Sequence, residues 1–147
     1  MRLLCVAAIA AYLCLPNMAS AQETPTDNAE MAALYAADQA VRANIDPAKY
    51  RDRAFVEQMN ADDAVRRTQT RALLDTGALQ TGEDYRAAAF IFQHGSTPEY
   101  YLLAHSLAVT GAAKGSPGAA WIAAATLDRY LQSIDRKQIY GTHAGAL

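Results

Sequence analysis

Ionisable side chains that fall on apolar helix faces are the first places to look for chemistry in this sequence. Asp128 follows Trp121 by seven residues and Ala124 by four, which places it on an apolar line with Arg129 beside it, and His94 ends a predicted helix. A buried carboxylate must find a partner or take up a proton. We therefore hold two hypotheses: a catalytic group of His94, Asp128 and Arg129, or a structural hydrogen-bond hub at Asp128 that ties the C-terminal tail to the last helix.

A second charged pair lies in the first predicted helix. Asp38 falls on the stripe of Met31 and Leu34, and Arg42 follows one turn later, at a spacing where the two side chains meet. The pair is either an anion-binding arginine oriented by an aspartate or an internal ion pair that fixes helix packing. Three further polar residues complete the candidate ligand-binding set: Gln93, Gln138 and Thr142.

Other recognised chemistries lack their motifs. The three histidines, His94, His105 and His143, match no short metal-binding spacing, so we expect neither a metal site nor a cofactor. The glycine-rich segment 111–118 has no Gly-Lys-Ser/Thr, and no serine lies in a Gly-x-Ser-x-Gly turn. Adjacent charges on the second predicted helix are interpreted as a solvated face: Asp62, Asp63, Arg66 and Arg67.

The first 21 residues have the pattern of a secretory signal peptide. Arg2 gives a basic start, Leu3 to Leu15 is an uncharged and mostly apolar run, and Ala19-Ser20-Ala21 is a small-x-small cleavage site before Gln22. The apolar run is shorter than the ~20 residues that a membrane-spanning helix needs. A lipoprotein anchored at Cys14 is the competing interpretation. We expect an exported chain, periplasmic or secreted, with no integral membrane segment after cleavage.

Composition narrows the classes of partner. Both cysteines, Cys5 and Cys14, lie in the predicted signal peptide, so the mature chain is expected to have no disulfide or thiolate. With 13 basic and 15 acidic residues, the chain has no basic excess of the kind that nucleic-acid binding requires. An unknown protein or small ligand is therefore the expected partner.

Capping signals and apolar periodicity predict an all-α fold, a compact five-helix array of helical hairpins. A disordered lead-in is expected over residues 22–28, followed by a single helical domain over residues 29–147. Asp27 with Glu30 predicts the first capping box, and Thr81 with Asp84 predicts another. The predicted helices are Ala29 to about Asn44, Arg53 to Asp75, Thr81 to His94, Thr97-Pro98 to Gly111, and one that begins at Ser116-Pro117.

Three expectations concern packing. The fourth helix is apolar almost all round, which predicts a central position. Trp121 is expected in the core, where its replacement by alanine would cost ~3–5 kcal/mol. After Ile134 the tail is expected to fold back, with Ile139 or Tyr140 buried and Gln138 and Thr142 bonded near Asp128 and His94.

A set of motifs is spread over most of the sequence after the predicted signal peptide. It consists of segments 85–95, 101–105, 121–131 and 138–142, with an Asp-Gln-x-x-Arg signature at 38–42. Together these motifs resemble a family of uncharacterised bacterial exported proteins, a domain of unknown function, whose members carry an aromatic-Gln-His, an Asp-Arg and a closing Gln-x-aromatic-Gly-Thr-Gln. The resemblance implies an exported helical domain and no particular activity. His143 departs from it, because the family pattern has glutamine there.

Two function classes remain open from the sequence. The first is a non-catalytic module that binds a protein or small ligand in a groove between helices. The second is a small hydrolase-like enzyme that uses His94, Asp128 and Arg129. They differ in whether these three side chains converge on an open pocket or are sealed within the core.

Overall fold

The computed structural model describes residues 24–43 and 45–143, so the predicted signal peptide with both cysteines lies outside the described residues. Five α-helices account for most of this part of the chain, which contains no β-strand, and the all-α prediction is confirmed. The elements are α1 (Ala29–Arg42), a short 3-10 turn (Pro47–Arg51), α2 (Arg53–Asp75), α3 (Gly82–Phe92), α4 (Pro98–Ala113) and α5 (Ala119–Ser133).

The centre of the fold is α3, which packs against each of the other four helices. Its alanines Ala87, Ala88 and Ala89 are buried, and their small side chains let neighbouring helices approach on several sides. The prediction that α4 is central is wrong. Helix α4 packs only on α3 and α5, and it leaves Leu102 and Val109 exposed.

A close glycine contact joins α3 to α4. A Cβ atom added at Gly111 would lie 2.9 Å from the Gly82 carbonyl oxygen, and one at Gly82 would lie 2.9 Å from the Gly111 carbonyl oxygen. Gly111 was expected to end the fourth helix, which is wrong, because α4 continues to Ala113 and the left-handed residue after it is Gly115, at φ 84°. Gly111 instead permits the close approach of the two helices.

The start of α1 is fastened to the start of α3. Asn28 caps α1 by accepting from the Met31 N–H at 2.9 Å, so the predicted Asp27 capping box is wrong. The Asn28 N–H in turn donates to Asp84 at 2.7 Å, and Asp27 accepts the Thr81 hydroxyl at 2.6 Å. The Thr81–Asp84 capping box is confirmed. The C-terminal end of the segment predicted as a disordered lead-in, residues 27 and 28, therefore contacts the start of α3.

Helix α5 begins and packs differently from the prediction. Its N-cap is Gly118, at φ 77°, instead of Ser116, whose hydroxyl donates to Glu83 at 2.8 Å. The face of α5 that enters the core carries small and medium side chains, Ile122 and Ala125 among them. Trp121 lies off this face and is 59% exposed, so its predicted burial is wrong.

The tail after α5 folds back onto the helix, as predicted. Asp135 adopts a left-handed conformation at φ 58°, and Gly141 does so at φ 67°, where glycine carries no steric cost. The predicted burial of Ile139 or Tyr140 is wrong, since their side chains are 67% and 60% exposed. The tail is held by polar contacts to α5 that do not depend on burying these two side chains.

No helix within residues 24–43 and 45–143 combines the length and the apolar character needed to cross a membrane.

Candidate functional site

Asp128 is the anchor of the folded-back tail. Its side chain is fully buried, and both oxygens accept two hydrogen bonds each. Oδ1 accepts the N–H groups of Ile139 and Tyr140 at 2.7 and 2.9 Å, and Oδ2 accepts the N–H and the hydroxyl of Thr142, both at 2.9 Å. The structural hub hypothesised from the sequence is therefore present, and it leaves neither carboxylate oxygen free.

The hydrogen bonds determine the protonation state of Asp128. Burial raises the pKa of this carboxyl, but the N–H groups of Thr142, Tyr140 and Ile139 and the Thr142 hydroxyl favour the charged form more strongly. The net result is a pKa of about 2. A carboxylate with this pKa is a poor general acid or base near neutral pH.

The side chains of the proposed catalytic group do not contact one another through any hydrogen bond or ion pair in the described structure. Arg129 donates from Nη1 to the Gln93 carbonyl oxygen at 3.0 Å, and its guanidinium lies 5.8 Å from the ring centre of Tyr101. His94 lies with Asp38 instead, with 3.4 Å between Nε2 and Oδ2. Gln93 takes part through its backbone carbonyl, and Asp128 contacts only the tail.

Asp38 and Arg42 belong to a larger set of charges, which we call the ion cluster: Asp38, Arg42, Asp63, Arg66 and His94. Arg42 donates to Asp38 at 2.8 Å and to Asp63 at 2.6 Å, so it links α1 to α2. Arg66 donates to Asp63 at 2.5 Å and lies 3.7 Å from Asp38. The prediction that Asp63 and Arg66 belong to a solvated face is wrong, because both are buried.

The ion cluster contains its own anions. Both terminal nitrogens of Arg42 face protein carboxylates, so the position of an external anion is already taken. Burial raises the pKa of Asp38, but the neighbouring His94 imidazole and Arg42 guanidinium outweigh it, and the pKa lies below its ordinary value. The geometry matches the internal ion pair that was one of the two hypotheses for these residues.

The tail candidates Gln138 and Thr142 also make internal contacts. The Gln138 side chain donates to the His143 carbonyl oxygen at 2.8 Å and accepts the His143 N–H at 2.9 Å. The His143 ring Nε2 lies 3.0 Å from the Ala125 carbonyl oxygen, which docks the end of the tail on α5. Thr142 closes the tail onto Asp128 with two bonds.

An open cavity lies elsewhere, between α2, α3 and α4, and we call it the α2 groove. Its volume is about 280 Å³. Its floor includes the Phe92 and Tyr100 rings, whose centres are 6.2 Å apart with 20° between the planes. Gly95 allows this arrangement, because any Cβ atom there would collide with Tyr100. The groove is lined by Ala64, Arg67, Thr68, Arg71, Phe92 and Tyr100.

Two guanidinium groups give the α2 groove its charge. Arg67 lies 5.1 Å from the Tyr100 ring centre, and Arg71 lies 5.1 Å from the Phe92 ring centre. Arg67 donates from Nη1 to the His94 carbonyl oxygen at 2.8 Å, while its buried Nε has no hydrogen-bond partner. Neither arginine forms an ion pair within the described part of the chain, and Arg71 makes no hydrogen bond there.

Sequence reasoning missed the α2 groove because its α2 face is polar. Residues 64, 67, 68 and 71 lie on one side of a helix at i, i+3, i+4 and i+7 spacing. Because three of the four are polar, the pattern predicts a solvated surface. Only the partners on other helices, Phe92 and Tyr100, turn this face into a cavity. The signal available in the sequence was the pair of arginines one turn apart, Arg67 and Arg71, without an acidic residue between them.

An exposed aromatic surface lies on another side of the molecule. Trp121 stacks near Phe90 with 6.4 Å between ring centres, and Phe90 lies 5.3 Å from Tyr35. Arg86 lies over both Tyr35 and Phe90, but it is paired with Glu83. This pairing raises the pKa of Arg86 and lowers that of Glu83. Here, unlike in the α2 groove, the cation is already neutralised by the protein.

Within residues 24–43 and 45–143, no group of three or more His, Cys, Asp or Glu side chains is placed to hold a metal ion. Comparison with family models, curated proteins and solved structures finds no match to this chain.

Proposed function

We propose that this protein is an exported, non-catalytic binding module that takes its ligand in the α2 groove. The observation that carries the proposal is a contrast between two sets of polar groups. The Asp128 carboxylate and the ion cluster are occupied by contacts within the protein, whereas Arg67 and Arg71 line an open cavity and form no ion pair among the described residues. Binding sites typically combine an apolar lining with a few convergent polar groups.

The arrangement also disfavours the hydrolase-like alternative. A general base must reach the proton that it abstracts, but the Asp128 oxygens are enclosed by four donors of the tail. Arg129 is committed to the Gln93 carbonyl, and His94 lies in the ion cluster.

The exported location is proposed on the pattern of residues 1–21 alone. N-terminal sequencing of the protein recovered from the periplasmic fraction checks it. We expect a chain that begins at Gln22. Recovery of an acylated chain that begins at Cys14 would instead support a lipoprotein.

A thermal-shift screen against chemically diverse small molecules tests the binding function, because a ligand of the native state raises the midpoint of unfolding. Ala64 is exposed and lines the groove, so Ala64→Trp fills the cavity while leaving the ion cluster intact. Ala54 is exposed on the same helix and does not line the groove, so Ala54→Trp is the matched control.

We expect stabilising compounds that lose their effect in Ala64→Trp, keep it in Ala54→Trp, and are recovered chemically unchanged after incubation. A screen without any stabilising compound, or compounds that stabilise both variants equally, would contradict the proposal. Conversion of a compound to product in a manner abolished by His94→Gln would establish catalysis instead.

A further inference from the structure

The way in which Arg67 and Arg71 are held points to the kind of ligand. Each guanidinium lies over an aromatic ring, which uses the face of the planar group. The N–H bonds of a guanidinium lie in its plane, so stacking leaves these donors available at the edges. A planar fork of donors matches the two oxygens of a carboxylate or phosphate.

Unpaired charge distinguishes these two arginines from the arginines of the ion cluster and from Arg86, and their place in the groove distinguishes them from Arg129. Arg42, Arg66 and Arg86 contact protein carboxylates, whereas Arg67 and Arg71 form no ion pair among the described residues. Like charges four residues apart on a helix repel each other. Binding of an anion between Arg67 and Arg71 would remove this repulsion.

One donor is left without a partner. The buried Arg67 Nε–H donates to no group in the described residues, although buried polar groups are nearly always hydrogen-bonded. Arg67 also brings a positive charge without an ion-pair partner to the lining of the cavity. An oxyanion compensates this charge, and a neutral apolar ligand does not.

The remaining lining limits the rest of the ligand. The half-buried Tyr100 ring and the exposed Ala64 side chain are apolar surfaces beside the charges, while Phe92 is only 1% exposed and belongs to the core beneath them. A volume of about 280 Å³ lies just below the ~300–1,000 Å³ range of ligand pockets. The site thus fits a small ligand with an apolar body and one anionic end.

We infer that the α2 groove binds a small organic oxyanion, a carboxylate or phosphate on an apolar body, through the guanidinium groups of Arg67 and Arg71. This inference rests on the proposed binding function and specifies its ligand class. The apolar body lies against the side of the groove formed by Tyr100 and Ala64, and the anionic end lies at the arginines.

Isothermal titration calorimetry at low ionic strength tests the inference with phenyl phosphate and benzoate as probes. Inorganic phosphate lacks the apolar body, and benzyl alcohol lacks the charge. Arg71→Gln removes one guanidinium that makes no hydrogen bond to the described residues, so we expect the fold to be preserved. Lys114→Gln is the matched control, because Lys114 is an exposed cation that lines a different cavity of about 260 Å³.

We expect phenyl phosphate to bind with one-to-one stoichiometry and more tightly than either inorganic phosphate or benzyl alcohol. Arg71→Gln should weaken its binding about tenfold, the loss expected for a charge-assisted hydrogen bond, and Lys114→Gln should leave it unchanged. Arg71→Lys keeps the charge but loses the fork, so intermediate weakening is expected.

Absence of binding by both anions at millimolar concentration would overturn the inference, as would equal weakening by Arg71→Gln and Lys114→Gln. If benzyl alcohol binds as tightly as phenyl phosphate and Ala64→Trp abolishes the binding of both, the ligand class is wrong while the α2 groove remains the binding site. If Ala64→Trp leaves the binding of every probe unchanged, the proposed function of the groove is wrong as well as the ligand class.

Discussion

Replacing Asp128 by asparagine tests whether the tail is held as the structure shows. The carboxylate accepts three backbone N–H groups and one hydroxyl, two donors at each oxygen. An asparagine keeps one acceptor oxygen and places an amino group where the second oxygen was. If that amino group faces Thr142, the hydroxyl can turn to accept, but the Thr142 N–H then meets another donor.

The expected loss follows from these contacts. Hydrogen bonds to a charged group contribute about 1.5–3 kcal/mol each, and neutral ones about half as much. Loss of one bond, together with weakening of the others, gives a decrease of about 2–4 kcal/mol in the free energy of unfolding. For a domain of this size the midpoint of thermal unfolding should fall by on the order of 10 °C.

The pH dependence gives the same comparison a second readout. Because the pKa of Asp128 is lowered from 3.8 to about 2 on folding, the unfolded chain binds more protons between these values. The stabilisation is therefore complete above the unfolded pKa and is lost as the pH falls toward about 2. Asp128→Asn should lack this part of the acid-induced loss of stability.

Chemical denaturation at pH 7 and at decreasing pH, with Asp75→Asn as an exposed control, measures both effects. The control should change stability by less than about 0.5 kcal/mol. Amide hydrogen exchange in the same samples should show protection at Ile139, Tyr140 and Thr142 that Asp128→Asn removes. Equal stability of wild type and Asp128→Asn, with fast exchange at these amides, would refute the role assigned to Asp128.

Three further substitutions test the packing. Asp63→Asn should destabilise the protein by about 3–5 kcal/mol, because it leaves Arg42 and Arg66 without their shared carboxylate, whereas Asp62→Asn next to it should be nearly neutral in the same denaturation assay. Gly111→Ala should cost roughly 1–3 kcal/mol through its contact with the Gly82 carbonyl, and a stabilised variant would show that the helices separate easily. Trp121→Ala should cost less than about 1.5 kcal/mol, and a loss of 3 kcal/mol or more would show that the side chain is buried.

Local sequence signals predicted the helices well, because capping and periodicity act over a few residues. The Thr81–Asp84 box and the bounds of α2, Arg53–Asp75, follow from chemistry that is visible in the sequence. The errors concern contacts between distant segments. Gly111 resembles a helix stop, but its close neighbour Gly82 gives it a different role, and nothing local distinguishes the two.

The candidate site shows the same limit. Asp38 and Asp128 were recognised as unusual because each lies on an apolar stripe, and the structure places both in internal networks. Asp63 and Arg66 were predicted to be solvated because the sequence of α2 alone does not show that Arg42 of α1 packs against this face. The α2 groove requires three helices, so no single segment of sequence contains its pattern.

The most direct test of the proposed binding site is an NMR titration that follows the Nε–Hε signals of the arginines while phenyl phosphate is added. These signals report on each guanidinium separately, so they locate the anion without any substitution. We expect the Arg67 and Arg71 signals to shift together and to saturate, while those of Arg42, Arg66 and Arg129, which do not line the groove, stay in place. Saturating shifts at Arg42 or Arg129 with Arg67 and Arg71 unchanged would place the anion in the ion cluster or beside Asp128, and would contradict the assignment of the α2 groove.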